Sequence, residues 1–263
     1  MVRLSANLSW LFKEVPFAQR FQRAAACNFK ACEFLFDQYE HTNAAVAEMC
    51  ATSGLTPVLL NAPAGDWASG ERGFGGLPDR EDEFRRSVHT ALECASAISC
   101  PTIHVMAGMA TGGQDEGEAT FARRLRWASE EAQSAGVRVC IEPLNAKDAP
   151  GYLLPDTAAA LRVLDAADHP NCHLQLDLYH FYLTESKNLE GRVFPPIPDP
   201  TPRASEGPAA LRPRLRELLP RTAHVQLANP LGRHEPVRRP AHFWDSAGSE
   251  LARRLFWVGA LTD

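Results

Sequence analysis

Glu142, Asp177 and Gln226 are the residues whose types and spacing best suit chemistry in this chain. Each closes a short apolar burst: Glu142 ends "VRVCIE", Asp177 ends "HLQLD" and Gln226 ends "AHVQ". A carboxylate at the edge of a dry strand is costly unless something pairs with it. Two carboxylates and an amide oxygen are hard donors, which suit Mg2+ or Mn2+ better than a thiol-seeking metal. A divalent cation also lets two buried carboxylates stay ionised side by side. Further polar residues lie at burst ends: Asn7, Glu33, Asn61, His104 and His180. Taken singly they have plainer readings. An Asn there is a turn or cap residue, a His is a satisfied core residue, and Glu33 is a partner for a lysine or arginine.

The elements that must position these groups follow from hydrophobic periodicity. Apolar bursts begin at Leu4, Ala31, Pro57, Thr102, Arg138, His173, Ala223 and Leu255. Between them run helix-like stretches. "PFAQRFQRAAACN" spaces Phe17, Phe21 and Ala24 at i, i+4, i+7, and "EFRRSVHTALECASAI" does the same with Phe84, Val88, Leu92 and Ala95. "EATFARRLRWASEEAQSAG" stops at Gly136. Eight alternations of strand and helix predict an α/β fold, a (β/α)8 TIM barrel, whose usual length of about 250 residues matches this chain. The polar residues at the carboxyl ends of its strands would then share one mouth. An open doubly wound sheet is disfavoured, because no G-x-G-x-x-G follows an early strand. "GERGFGG" from Gly70 has no lysine placed for phosphate and reads as a polar loop.

One domain is expected over residues 1–263. Two segments break its rhythm. Residues 193–213 are dense in proline and read as an exposed, disordered insertion between the sixth strand and its helix "LRPRLRELLP". The tail 237–263 diverges, and almost nothing follows its last burst, so the closing unit of the barrel is expected to be incomplete.

A hydrophobic fraction of 45% is enough for a sizeable core, and a net charge of -5 argues against nucleic acid or an anionic membrane as partner. No run of about 18 apolar residues occurs, so no membrane span is expected. The seven cysteines form no C-x-x-C pair and sit mostly in apolar runs. They read as reduced thiols, with the cytoplasm as the default location. A homo-oligomer is left open.

"ANLSWLF", "EVPF", "EFLF", "HVMAG", "LDLYH", "AHVQLA" and "GRHEP", in this order, resemble the hydroxypyruvate isomerase family of the xylose-isomerase-like barrels. The resemblance runs from about Ser5 to Pro236. It implies a TIM barrel that interconverts hydroxypyruvate and 2-hydroxy-3-oxopropanoate (tartronate semialdehyde), with a small hydroxy-oxo acid as substrate. It implies one divalent metal, Mg2+ or Mn2+, held after the fifth, sixth and seventh strands, at Glu142, Asp177 and Gln226. It also implies substrate contact for His180, and it brings His234 and Glu235 near the substrate. The chemistry suits these residue types. A metal polarises the carbonyl and stabilises an enediolate, while a carboxylate, here Glu142, moves the proton. The family's further Glu on strand eight falls on Leu261, which neither binds a cation nor moves a proton; Glu250 lies too early and Asp263 too late. The competing readings are a 2-oxo-tetronate or other sugar-acid isomerase or epimerase, and a catalytically impaired variant. A DNA-repair endonuclease on the same barrel is disfavoured by the few strand-end histidines and the negative charge.

Overall fold

The computed structural model describes residues 4–188 and 213–228. Seven strands are present there: β1 (Ser5–Asn7), β2 (Ala31–Phe34), β3 (Thr56–Asn61), β4 (Thr102–His104), β5 (Arg138–Ile141), β6 (Cys172–Asp177) and β7 (Thr222–Gln226). All are parallel and stand in the order β1 to β7, each paired with the next. Between them run α1 (Phe17–Ala26), α2 (Asn43–Ser53), α3 (Glu81–Ala97), α4 (Gln114–Ser134), α5 (Thr157–Ala167) and α6 (Leu178–Asn188). The eighth burst, the tail 237–263, His234 and Glu235 lie outside the described residues, as does all but the last residue of the proline-rich segment.

The helix after β6 differs from expectation. It begins at Leu178, directly after the strand, so the proline-rich segment follows α6 rather than preceding the first helix of that unit. "HLQLDLYH" runs through the strand–helix boundary without a turn signal, because Asp177 ends the strand and its side chain starts the helix. Its Oδ1 accepts from the Tyr179 backbone N–H at 2.8 Å. "LRPRLRELLP" contributes a shorter helical stretch, 213–218, and a 3-10 turn at Leu219–Arg221 before β7.

Side chains alternate across the sheet with period two. Ala6, Phe34, Leu60, Ile103, Val139, Ile141, Leu174, Leu176 and Val225 face the helices and are buried. Phe34 meets Phe17 and Phe21 of α1 at centroid distances of 5.9 and 6.0 Å. The opposite face carries Asn7, Glu33, His104, Gln175, His224 and Gln226, all buried as well. Gln226 Nε2 on β7 donates to Glu33 Oε1 on β2 at 2.8 Å. Four strands separate these two in the sheet. The sheet is therefore curled so that its polar face closes on itself, the geometry of a TIM barrel. Among the described residues no helix is long and apolar enough to cross a membrane.

The β3–α3 loop is pinned over the mouth of this barrel. Arg124 of α4 is 5% exposed and donates to the carbonyl oxygens of Phe74, Gly75, Leu77 and Pro78 at 2.7 to 3.2 Å. Gly73 has φ +101°, and a Cβ there would collide with the Met106 carbonyl oxygen after β4. The glycines of "GERGFGG" thus serve close packing. Glu71 Oε1 accepts from Arg80 Nη1 at 2.6 Å and its Oε2 from the Asp66 backbone N–H at 2.6 Å.

Arg124→Met leaves four carbonyl oxygens without this donor. It should cost about 3 kcal/mol or more, read by calorimetry as a Tm lower by roughly 6–12 °C. The Arg80 guanidinium and then the Asp66 N–H hold the Glu71 carboxyl below the usual carboxylate range. A depressed folded value contributes stability above the unfolded value, and this is lost as pH falls through the folded one. The loop around Trp67 should therefore loosen as pH drops below about 4, and Glu71→Gln should remove that dependence. Tryptophan fluorescence against pH checks this, with Trp67→Phe identifying the reporting indole.

Candidate metal and substrate site

Glu142 follows β5 directly, Asp177 closes β6 and Gln226 closes β7, so register alone brings all three to one end of the barrel. They are 6, 3 and 6% exposed. Glu142 and Gln226 line a cavity of about 250 Å³ together with Asn7, Arg72, His104 and His180, among others. Glu142, Asp177 and His180 each place one donor atom within 4.8 Å of the others.

Gln226 joins this group through a side chain that the sequence reading missed. Gln175 Nε2 donates to Glu142 Oε2 at 2.8 Å and to Gln226 Oε1 at 3.0 Å. One amide group therefore ties two of the expected ligands together. The signal was in the strand period: Gln175 stands two residues before Asp177 and must share its face. His224, two before Gln226, obeys the same rule.

Among the described residues Glu33 takes no lysine or arginine, contrary to expectation. Its Oε1 accepts from Asn7 Nδ2 at 3.2 Å as well as from Gln226, and its Oε2 lies 2.9 Å from His224 Nε2, close but not aligned as a hydrogen bond. No cationic side chain is needed, because the barrel interior supplies amides and an imidazole from β1 and β7. The Glu33 contact also fixes the Gln226 amide: Nε2 faces Glu33, so Oε1 faces the Glu142 side.

His104 is the buried neighbour of this network. Burial, and then the nearby His224, push its pKa down to about 3, so it is neutral at ordinary pH. Its Nδ1 lies 3.9 Å from Glu142 Oε2, a contact that is no ion pair when the ring is neutral. Both His104 ring nitrogens and Gln175 Oε1 are buried without a hydrogen-bond partner among the described residues.

His180 has a defined tautomer. The backbone N–H of Asn145 donates to its Nδ1 at 3.1 Å, and Asn145 Nδ2 lies 2.7 Å from the same atom. The amide cannot be reversed, because Asn145 Oδ1 already accepts from the backbone N–H groups of Lys147 and Asp148. Nδ1 is thus the acceptor, and in the neutral ring Nε2 carries the hydrogen. That Nε2 lies 3.7 Å from Asp177 Oδ2. A nitrogen that carries hydrogen offers no lone pair to a cation. The cluster is therefore two carboxylates and one N–H donor, with the Gln226 oxygen alongside. This donor set fits a hard divalent cation held by oxygen.

Residues 21–254 match the family described as a xylose isomerase-like TIM barrel. A 2-oxo-tetronate isomerase of Cupriavidus necator is 38% identical over 241 residues, 90% of this chain and 82% of that protein. The hydroxypyruvate isomerase of Escherichia coli is 38% identical over 189 residues, 71% of this chain and 73% of that protein. Among solved structures, a protein of Brucella melitensis named AP endonuclease, family 2, superposes with a TM-score of 0.81 at 33% identity, over 99% of this chain and 93% of that one. An L-ribulose 3-epimerase shares the fold at 17% identity, with a TM-score of 0.68 over 100% of this chain and 82% of the other. With seven parallel strands in sequential order and a curled polar interior, this chain belongs to the xylose isomerase-like TIM barrel family.

Proposed function

We propose that this chain is a metal-assisted aldose–ketose isomerase that interconverts hydroxypyruvate and 2-hydroxy-3-oxopropanoate. The observation that carries this reading is the placement of Glu142, held against Gln175 and within reach of Asp177 at the mouth of the barrel. Relatives named for this reaction agree with it. Glu142, Asp177 and Gln226 would hold Mg2+ or Mn2+ through oxygen. That ion, when bound, polarises the substrate carbonyl and stabilises negative charge on its oxygen.

The remaining work falls to the chain's own groups. Glu142 takes the proton from C3 of hydroxypyruvate and returns it to C2, while the hydroxyl proton passes from the C3 oxygen to the C2 oxygen. Gln175 holds Glu142 Oε2, so the carboxylate presents one fixed edge to the substrate. His180 Nε2–H donates to a substrate oxygen, and Asn145 sets the ring's orientation. His234 and Glu235 are assigned to the substrate by the family resemblance. A cavity of about 250 Å³ lies below the roughly 300–1,000 Å³ usual for drug-sized ligands, which suits a small acid better than an abasic nucleotide in duplex. All seven cysteines are free thiols, in keeping with a cytoplasmic enzyme.

A second reading has its own support. The 2-oxo-tetronate isomerases match 90% of the chain at 34–38% identity, about as well as proteins named putative hydroxypyruvate isomerase, which match 89% at 31–34%. A longer 2-oxo acid would use the same metal and the same proton transfer, so a panel of both acids decides between them. Mn2+ binding without turnover of either acid would instead mark an impaired chain, as Leu261 in the family's Glu position would allow.

Turnover of hydroxypyruvate should require added Mg2+ or Mn2+ and should vanish with a chelator. Glu142→Gln should lower kcat by at least about 10²–10⁴-fold, measured on the metal-loaded protein. The tautomer of His180 gives a separate expectation. His180→Leu should lower turnover yet leave Mn2+ affinity nearly unchanged. Asp177→Asn should weaken Mn2+ binding by more than the about 10–100-fold that outer partners are worth. Mn2+ titration followed by electron paramagnetic resonance separates the two.

A further inference from the structure

Arg72 lines the same cavity but has no part in the metal and proton chemistry described above. Its guanidinium lies 3.7 Å from the centroid of the Trp67 ring, and Trp67 in turn packs on Phe36 at 5.2 Å. Nη1 donates to the carbonyl oxygens of Trp67 and Glu71 at 3.1 and 2.7 Å. Stacking and these two bonds fix the plane of the group. Nε and Nη2 have no partner among the described residues.

The neighbouring carboxylate is not its counter-ion. Glu71 is committed to Arg80 and to the Asp66 N–H. Burial lowers the Arg72 pKa, with no opposing charge to restore it. Arg72 is also the one lysine or arginine among the residues described as lining the cavity, where Glu142 and Asp148 are the acids. Carboxylates on the floor repel an anionic substrate. The reacting end of a hydroxy-oxo acid is taken up by the metal and Glu142, so its carboxylate needs a cation elsewhere. A planar guanidinium with two parallel N–H groups matches a carboxylate bidentately.

We propose that Arg72 binds the substrate carboxylate through Nε and Nη2, and that it makes the site selective for oxo acids over uncharged sugars. This rests on the isomerase reading given above. Trp67 and the pinned β3–α3 loop hold the guanidinium ready, so little side-chain freedom is lost on binding.

Dihydroxyacetone differs from hydroxypyruvate by a hydroxymethyl group in place of the carboxylate, and it supplies the test. With the Mn2+-loaded protein, Arg72→Met should raise KM for hydroxypyruvate about 10–100-fold with little change in kcat, the range of a charged hydrogen-bonded pair. The KM for dihydroxyacetone should stay within about twofold, and Arg72→Lys should fall between wild type and Arg72→Met for the acid. Equal losses on the acid and the neutral substrate would make Arg72 a staple of its loop and overturn the proposal. An unchanged KM for hydroxypyruvate would overturn it as well. If the wild type turns over neither acid, the isomerase reading fails, and calorimetry with tartronate reads Arg72 by itself. Weaker tartronate binding by Arg72→Met than by wild type then supports a carboxylate clamp. Equal binding, or none by wild type, overturns it.

Discussion

A carboxylate at the axis of a curled sheet, Glu33, organises the centre of this molecule. It is 0% exposed, and such a group is tolerated only when donors surround it. Those donors come from both ends of the described sheet, Asn7 on β1 and Gln226 on β7, and His224 of β7 lies close to the other oxygen. The contact therefore requires closure, since an open sheet would leave Glu33 on β2 far from β7. It also reaches the site. By fixing the Gln226 amide it aims that oxygen at Gln175, whose amide group holds Glu142. Fold and site share one chain of buried polar contacts, and the apolar alternates on the outer face make it affordable by packing the helices.

The second constraint is the β3–α3 loop. Loops lie over the ends of barrel strands and ordinarily carry the freedom that strands lack. This one is held from three sides: by Arg124 beneath its carbonyl groups, by the Glu71–Arg80 pair, and by Gly73 against Met106. The result is a rigid rim of Trp67 and Arg72 above an acidic floor. Rigidity matters here because a charged group that must be ordered at the moment of binding loses part of its contribution to affinity.

Much of this was legible in the sequence, and the limits have physical causes. The seven described strands, α1, α3 and α4 follow from period-two and period-3.6 patterns, which are strong where apolar residues are large. The small-residue helix α2 has too weak a stripe to stand out, although its Thr42 cap and Gly54 stop were present. The placement of Glu142, Asp177, Gln226 and His180 at one end of the barrel was legible because strand ends converge there. The contact of Glu33 with Gln226 was not, because Gln226 lies across the barrel on β7 and no local pattern records closure. The His180 tautomer depends on Asn145, whose relation to it is purely spatial. Arg72 sat unnoticed in a glycine-rich loop, since its stacking on Trp67 and its place at the cavity need tertiary structure.

Charge balance connects these pieces. Glu142 and Asp177 supply two negative charges, Gln226 is neutral, and His180 is a neutral donor in its assigned tautomer. A divalent cation on this set would give a neutral site. Under the proposed function an oxo acid would add one negative charge, which Arg72, lining the same cavity, would offset. Asp148 is exposed, so water screens most of its effect. In the proposed reaction one carboxylate, Glu142, takes the proton from one carbon and returns it to the next. A carboxylate can do so if it stays in place between the two transfers, and the Gln175 contact at 2.8 Å is what keeps it there.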